Sequence, residues 1–169
     1  GRMGKWTGAE YFGVTPDILT TAKALGNGYP IGAMLTTTAI AEHFGVGSHG
    51  TTYGGNPLAM AVGNAVLDVM LQPDFLPNVQ QQAAGLQTAL AHVQAAFPHI
   101  ITEMRGMGLM LGLRMAGDHY ALAAALRVNV LLTAPAVNDQ VIRLLPPLII
   151  EEPHIEEAAS ILHRTLETH

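Results

Sequence analysis

The chain has 169 residues, 49% of them hydrophobic and only 12% charged, with a formal net charge of −5 and no cysteine. That composition supports a buried core and argues against disorder, while mild acidity without a basic run makes nucleic acid and anionic membranes poor partners. Disulfides and thiolate metal sites are excluded, no apolar stretch has membrane-spanning length, no signal peptide is visible, and the cytoplasm is the default location.

Gly1-Arg2-Met3-Gly4 reads as part of a loop. Lys5, between Gly4 and Trp6, is expected to be solvated, and Trp6, Tyr11 and Phe12 to pack together or line a site entrance. After a turn at Pro16-Asp17, Ile18 to Thr21 reads as a short strand. Lys23 follows, then a glycine-rich turn and a second apolar run, Ile31 to Thr38. Lys23 therefore stands at a strand end, where open α/β sheets bind ligands, with Ala22 and Ala24 leaving room for a flat ring. A free lysine titrates near about 10.4. Desolvation on an apolar floor would expose its lone pair for attack on a carbonyl. On local pattern two readings of Lys23 stand: a solvated surface lysine and a nucleophile.

Ala39 to Phe44 suggests one or two helical turns, broken at Gly45 to Ser48. In the block His49 to Pro57, Thr51 and Thr52 offer hydroxyls, Asn56 is a helix cap and Pro57 a helix start. Either this is a plain capped helix, or the amides at its start face an anion. Pro57 to Leu71 is predicted helical, with Leu58, Ala59, Val62, Val66 and Met70 on an apolar face. Phe75 to Phe97 is predicted as a second long helix with a break near Pro77. A domain boundary near Asn78 divides the chain into residues 1–78 and 79–169.

The second part reads as α+β. Glycines among apolar residues between Ile100 and Met115 predict two strands meeting at a turn. Asp118 caps a helix to Arg127, Val128 to Thr133 and Val141 to Leu145 are predicted strands, and Pro153 to Leu166 is a closing helix. Arg143 lies in an apolar strand just before Pro146-Pro147. It is either a structural ion-pair partner or a two-pronged carboxylate binder, a geometry lysine cannot copy. The eight histidines show no metal-ligand spacing, so no metal site is expected; His92, His99, His154, His163 and His169 read as surface or capping residues, and His49 as a loop or interface residue.

Three ordered blocks carry a resemblance: Pro16 to Gly32 around Lys23, His49 to Ala59, and Ile142-Arg143-Leu144-Leu145-Pro146-Pro147-Leu148. They resemble the class III (ornithine-type) aminotransferases, which depend on pyridoxal phosphate. Gly1 to Gly4 is similar to the tail of that family's aspartate motif. The resemblance implies an α/β chain that is the C-terminal portion of a longer protein. Residues 1–78 would be the end of the large cofactor domain of an aspartate aminotransferase-like (fold type I) enzyme, and 79–169 a small α+β C-terminal domain. It implies Lys23 as the Schiff-base lysine, Thr52 and its neighbour Thr51 as hydroxyls toward the cofactor phosphate across a homodimer interface, and Arg143 as the grip on the substrate carboxylate. Implied substrates are 2-oxoglutarate and an amino donor, N-acetylornithine or also succinyl-diaminopimelate, in arginine biosynthesis. Ornithine, 4-aminobutyrate or aminomutase chemistry, and a non-catalytic fragment, remain as alternatives.

Overall fold

The computed structural model describes residues 1–168. The chain forms two compact units: one is Phe12–Phe75, and the other joins Gly1–Tyr11 to the segment from Leu76 onward. The first eleven residues go with the C-terminal unit because specific bonds hold them there. The Leu109 amide donates to the Arg2 carbonyl at 2.9 Å, and Gln80 Nε2 donates to the Gly4 carbonyl at 2.7 Å. Within this segment a short helix, α1 (Gly8–Tyr11), follows Thr7, whose Oγ1 accepts from the Glu10 amide. Trp6, Tyr11 and Phe12 are all exposed.

The unit Phe12–Phe75 is built on an antiparallel hairpin of β1 (Ile18–Ala22) and β2 (Gly32–Thr36), with Ala22 opposite Gly32. A single 3-10 turn, Lys23–Leu25, leaves β1 directly. After α2 (Thr38–Ala41) and a loop comes α3 (Pro57–Met70). Asn56 caps it as expected, its side chain accepting from the Ala59 amide. Ala59 and Gly63 are the buried residues of α3, and their small size lets the helix lie against the Lys23–Leu25 turn.

The C-terminal unit is a two-layer α+β arrangement. Its four strands are β3 (Ile101–Met107), β4 (Met110–Met115), β5 (Ala134–Pro135) and β6 (Val141–Leu144), in the order β3-β4-β6-β5, every pair antiparallel. Strand alternation gives the sheet two different faces. Leu111, Leu113, Met115, Ile142 and Leu144 are buried on one. They share the core with Leu90 and Val93 of α4 (Phe75–Ala96), Leu122 and Leu126 of α5 (His119–Val128), and Leu162 and Leu166 of α6 (Glu152–Thr168). The other face carries Glu103, Arg105, Gly112, Arg114 and Arg143. Among the described residues no helix is long and apolar enough to cross a membrane.

Two local expectations change. Helix α4 runs through Pro77 without a break, because a proline in the first helical turn gives up an amide that has no intrahelical partner anyway. The strand expected over Val128 to Thr133 does not form. Helix α5 instead ends there in a Schellman turn: the Val130 amide donates to the Arg127 carbonyl at 3.1 Å and the Leu131 amide to the Leu126 carbonyl at 2.8 Å. Such turns require a left-handed residue at the position after the cap, and Val130 takes it with φ 68°.

A β-branched residue in that conformation is strained by roughly 1–2 kcal/mol. Val130 is 86% exposed, so its side chain contributes almost no packing. Val130→Gly is expected to stabilise the folded protein by about 1 kcal/mol, less what the glycine adds to unfolded-chain entropy. The check is a rise in the urea midpoint with an unchanged slope.

Candidate active site

Lys23 begins the 3-10 turn with φ 53°, a left-handed backbone that residues with a Cβ rarely adopt. Its carbonyl accepts from the amides of Gly26 and Asn27, at 3.1 and 3.0 Å, which closes the turn beneath it. Gly26 is required at its position: a Cβ there would lie 2.3 Å from the Tyr29 carbonyl oxygen and 2.5 Å from Ile31 Cγ2. The underside of the turn meets α3, where a Cβ built on Gly63 would make ordinary contacts with Ile31 and Leu25. The turn is thus locked from below while the Lys23 side chain is exposed, without a hydrogen bond or ion pair among the described residues. Ala22 and Ala24 on either side of it are exposed as well. Lys5 has an unstrained backbone and is exposed.

Thr51 and Thr52 lie in the exposed turn that leads into α3, the element that also backs the Lys23 turn. The helix start itself is a poorer anion site than its sequence suggests. Pro57 has no amide, and the Ala59 amide is taken by Asn56 Oδ1 at 2.9 Å. Of the first three helical positions only Leu58 keeps an amide outside the cap. An anion here would rely on the threonine hydroxyls rather than on the helix end.

Arg143 belongs to the other unit and is described with it. On β6 it stands opposite Gly112 of β4 and Ala134 of β5, so small residues flank it on both sides. Its Nε donates to the Ala134 carbonyl at 3.3 Å, which orients the guanidinium and leaves the terminal nitrogens unengaged. The same face carries two further arginines, and both are neutralised. Arg105 pairs with Asp139. Arg114 lies 3.6 Å from Glu103 Oε2 and 3.7 Å from Asp139 Oδ1. Arg143 alone of the three has no carboxylate within ion-pair distance among the described residues. The sequence leaves Arg105 and Arg114 without a role; what sets them apart from Arg143 is Asp139, which sequence inspection overlooks because it arrives from the β5–β6 loop.

His119, also unremarked in the sequence, is buried and its Nε2 bonds the Ala136 carbonyl at 2.9 Å, fixing the loop that delivers Asp139. His154 Nδ1 accepts from the Glu151 amide, a capping role, and His163 packs edge-on against Phe97. His49 makes a similar edge contact with Phe44; His169 lies outside the described residues. Grooves of about 400 Å³ beside Gln82 and His92, and about 300 Å³ beside Leu132 and Pro147, contain none of Lys23, Thr51, Thr52 or Arg143.

Comparison with known proteins now identifies the class. Residues 1–166 match the family model Aminotransferase class-III, and the chain belongs to that family. It is 50% identical over 158 residues to the acetylornithine aminotransferase of Mesorhizobium japonicum, covering 94% of this chain and 39% of that protein. Its fold matches a crystal structure of acetylornithine aminotransferase from Elizabethkingia anophelis with a TM-score of 0.92 at 32% identity, covering 99% of this chain and 45% of the other. It also matches an ornithine aminotransferase from Toxoplasma gondii, described with partial occupancy of pyridoxal phosphate at its active site, with a TM-score of 0.91 at 29% identity, covering 99% and 40%. The chain therefore spans about two fifths of the length of such relatives.

The ion-pair cluster on the sheet face has a definite acid response. The hydrogen bond from Arg105, helped by the charges of Arg105 and Arg114, holds the Asp139 carboxyl below its ordinary value. A carboxylate whose pKa is lower folded than unfolded stabilises fully above the unfolded value, about 4, and loses that contribution as pH falls through the folded one. The contribution of the Asp139 pairing to the β5–β6 loop is expected to be constant between pH 5 and 8 and to be lost only below about pH 4. Asp139→Asn should flatten that acid limb, and added salt should mimic the variant; backbone amide exchange of residues 136–140 measures both.

Proposed function

We propose that the intact protein is a pyridoxal phosphate-dependent transaminase that passes the amino group of N-acetylornithine to 2-oxoglutarate. One observation carries this: Lys23 is an exposed, unpartnered amine on a strained turn that Gly26 and α3 hold rigid. Strain kept at one lysine is characteristic of a residue selected for where its side chain points. The donor set suits the cofactor, with an amine for its aldehyde and the hydroxyls of Thr51 and Thr52 for its phosphate. When bound, the cofactor supplies an electron sink for the bonds at the amino-bearing carbon.

In this scheme Lys23 Nζ would be the amine that holds the cofactor through its aldehyde. The same amine would serve as base and then acid, moving the proton carried by the amino-bearing carbon of the substrate. Thr52, with Thr51 beside it, would hold the phosphate of the cofactor bound in the partner subunit of a homodimer. Arg143 binds the carboxylate of the donor and of 2-oxoglutarate in turn, its unengaged terminal nitrogens matching the two oxygens. Residues 1–78 would be part of the large cofactor domain and residues 79–169 the small C-terminal domain. A cytoplasmic place in arginine biosynthesis belongs to the same proposal.

N-acetylornithine is preferred as donor because the Mesorhizobium japonicum relative carries that activity in its name. The fold does not separate it from ornithine, since TM-scores of 0.92 and 0.91 are equivalent. In the full-length enzyme, borohydride reduction and peptide mapping should place the cofactor label on Lys23. Lys23→Ala should lower turnover by about a thousandfold or more. Label on Lys5, or undiminished turnover in the variant, would sink the assignment. Glutamate formation should be fastest from N-acetylornithine; equal rates from ornithine or 4-aminobutyrate would reject that donor.

A further inference from the structure

The β4–β6 ladder does not end where its own strands stop pairing. Its register places Leu111 opposite Leu144, Leu113 opposite Ile142 and Arg114 opposite Val141. The Met115 amide donates to the Gln140 carbonyl at 2.6 Å, which marks that pair as hydrogen-bonded. In an antiparallel ladder hydrogen-bonded pairs recur at every second residue. Stepping along by twos gives 113 with 142, 111 with 144, and then Leu109 with Pro146. One of this last pair's two bonds cannot form, since proline has no amide to donate to the Leu109 carbonyl, and the Leu109 amide goes to the Arg2 carbonyl instead.

Arg2 fills the gap. Its carbonyl accepts from the Leu109 amide at 2.9 Å. Its Nη1 donates to the Leu109 carbonyl at 3.2 Å and also to the Pro146 carbonyl. Gly108, with φ 58°, permits this approach: a Cβ there would lie 2.4 Å from the Arg2 carbonyl oxygen. Arg2 is half-buried and has no carboxylate partner among the described residues. Its bonds all go to backbone, at a point three residues beyond Arg143.

We propose that Arg2 is a positioning residue for substrate carboxylate: by donating to the Leu109 carbonyl in place of the amide Pro146 lacks, and to the Pro146 carbonyl as well, it fixes the end of the strand that presents Arg143. This rests on Arg143 being the carboxylate grip. Lysine at position 2 lacks the fixed, planar N–H directions with which Nη1 bridges the two carbonyls and would hold them less well. Replacing Pro146 by alanine restores an amide aimed at Leu109, making the bridge less necessary.

The test uses the full-length enzyme loaded with cofactor. Arg2→Met is expected to raise KM for both the amino donor and the oxo acid by about tenfold, with kcat and the cofactor absorbance little changed. Arg2→Lys should fall between it and the parent, and Pro146→Ala should recover most of the loss in the Arg2→Met background. Arg143→Lys is the control. If it raises both KM values and Arg2→Met does not, the positioning role is overturned while the carboxylate grip stands. If Arg143→Lys leaves both KM values unchanged, the grip and the positioning role fall together. Should Arg2→Met lower kcat or cofactor retention with KM unchanged, or merely unfold the protein without recovery by Pro146→Ala, Arg2 is structural only and the proposal is wrong.

Discussion

The register between β4 and β6 is the constraint on which the C-terminal unit depends. Side chains alternate between faces, so sliding β6 by one residue would exchange its two sides completely. Ile142 and Leu144 would go to solvent, each forfeiting roughly 1.5–3 kcal/mol of burial. Arg143 would enter the core, where an unpaired charge is far more costly. The positions of Leu111, Leu113, Ile142 and Leu144 inside therefore dictate that Arg143 points outward, opposite Gly112. The cation's direction follows from apolar burial on the opposite side of the same sheet.

That outward face then sorts its charges. Three guanidiniums share it with two carboxylates, and geometry assigns both carboxylates to Arg105 and Arg114. What remains is one unneutralised cation, tethered at Nε and flanked by residues too small to cover it. Tethering matters energetically. Much of the cost of binding with a long side chain is the loss of its rotamer freedom, and Arg143 has already given up part of that. A free cation on an open sheet with partial preorganisation suits the carboxylate-binding role proposed for Arg143.

The unit Phe12–Phe75 uses a different device for the same end. Its hairpin has only two strands, so sheet burial cannot fix the residue that leaves β1. The backbone does it instead, through a left-handed Lys23 whose carbonyl closes the turn and a glycine that no other residue could replace. Helix α3 supports the turn with alanine and glycine, while Leu58, Met60, Leu67 and Val69 remain exposed on its other sides. A helix apolar on most sides is ordinarily covered on most sides, in keeping with a chain that spans two fifths of its relatives' length.

How much of this was legible before the fold was known depends on the range over which each feature is decided. Caps and turns are local, so Asn56, Asp118 and the glycine-marked β3–β4 hairpin could be read directly. The stretch Val128 to Thr133 misled because its β-branched residues favour a strand, whereas the helix before it needed a left-handed stop and took the next residue available. Lys23 was visible as a lysine at a strand end, but its strain was not, since nothing in the residue type announces a positive φ. The arginines show the limit most clearly. Arg105 and Arg143 each sit among apolar or small neighbours, and apart from the family resemblance of Ile142 to Leu148 their immediate sequences do not rank them. They differ in whether Asp139 reaches them, and Asp139 lies four residues from one and thirty-four from the other along the chain. The distant arginine is the one it pairs with, so proximity in sequence points to the wrong partner and only the folded sheet identifies Arg143 as the cation left free.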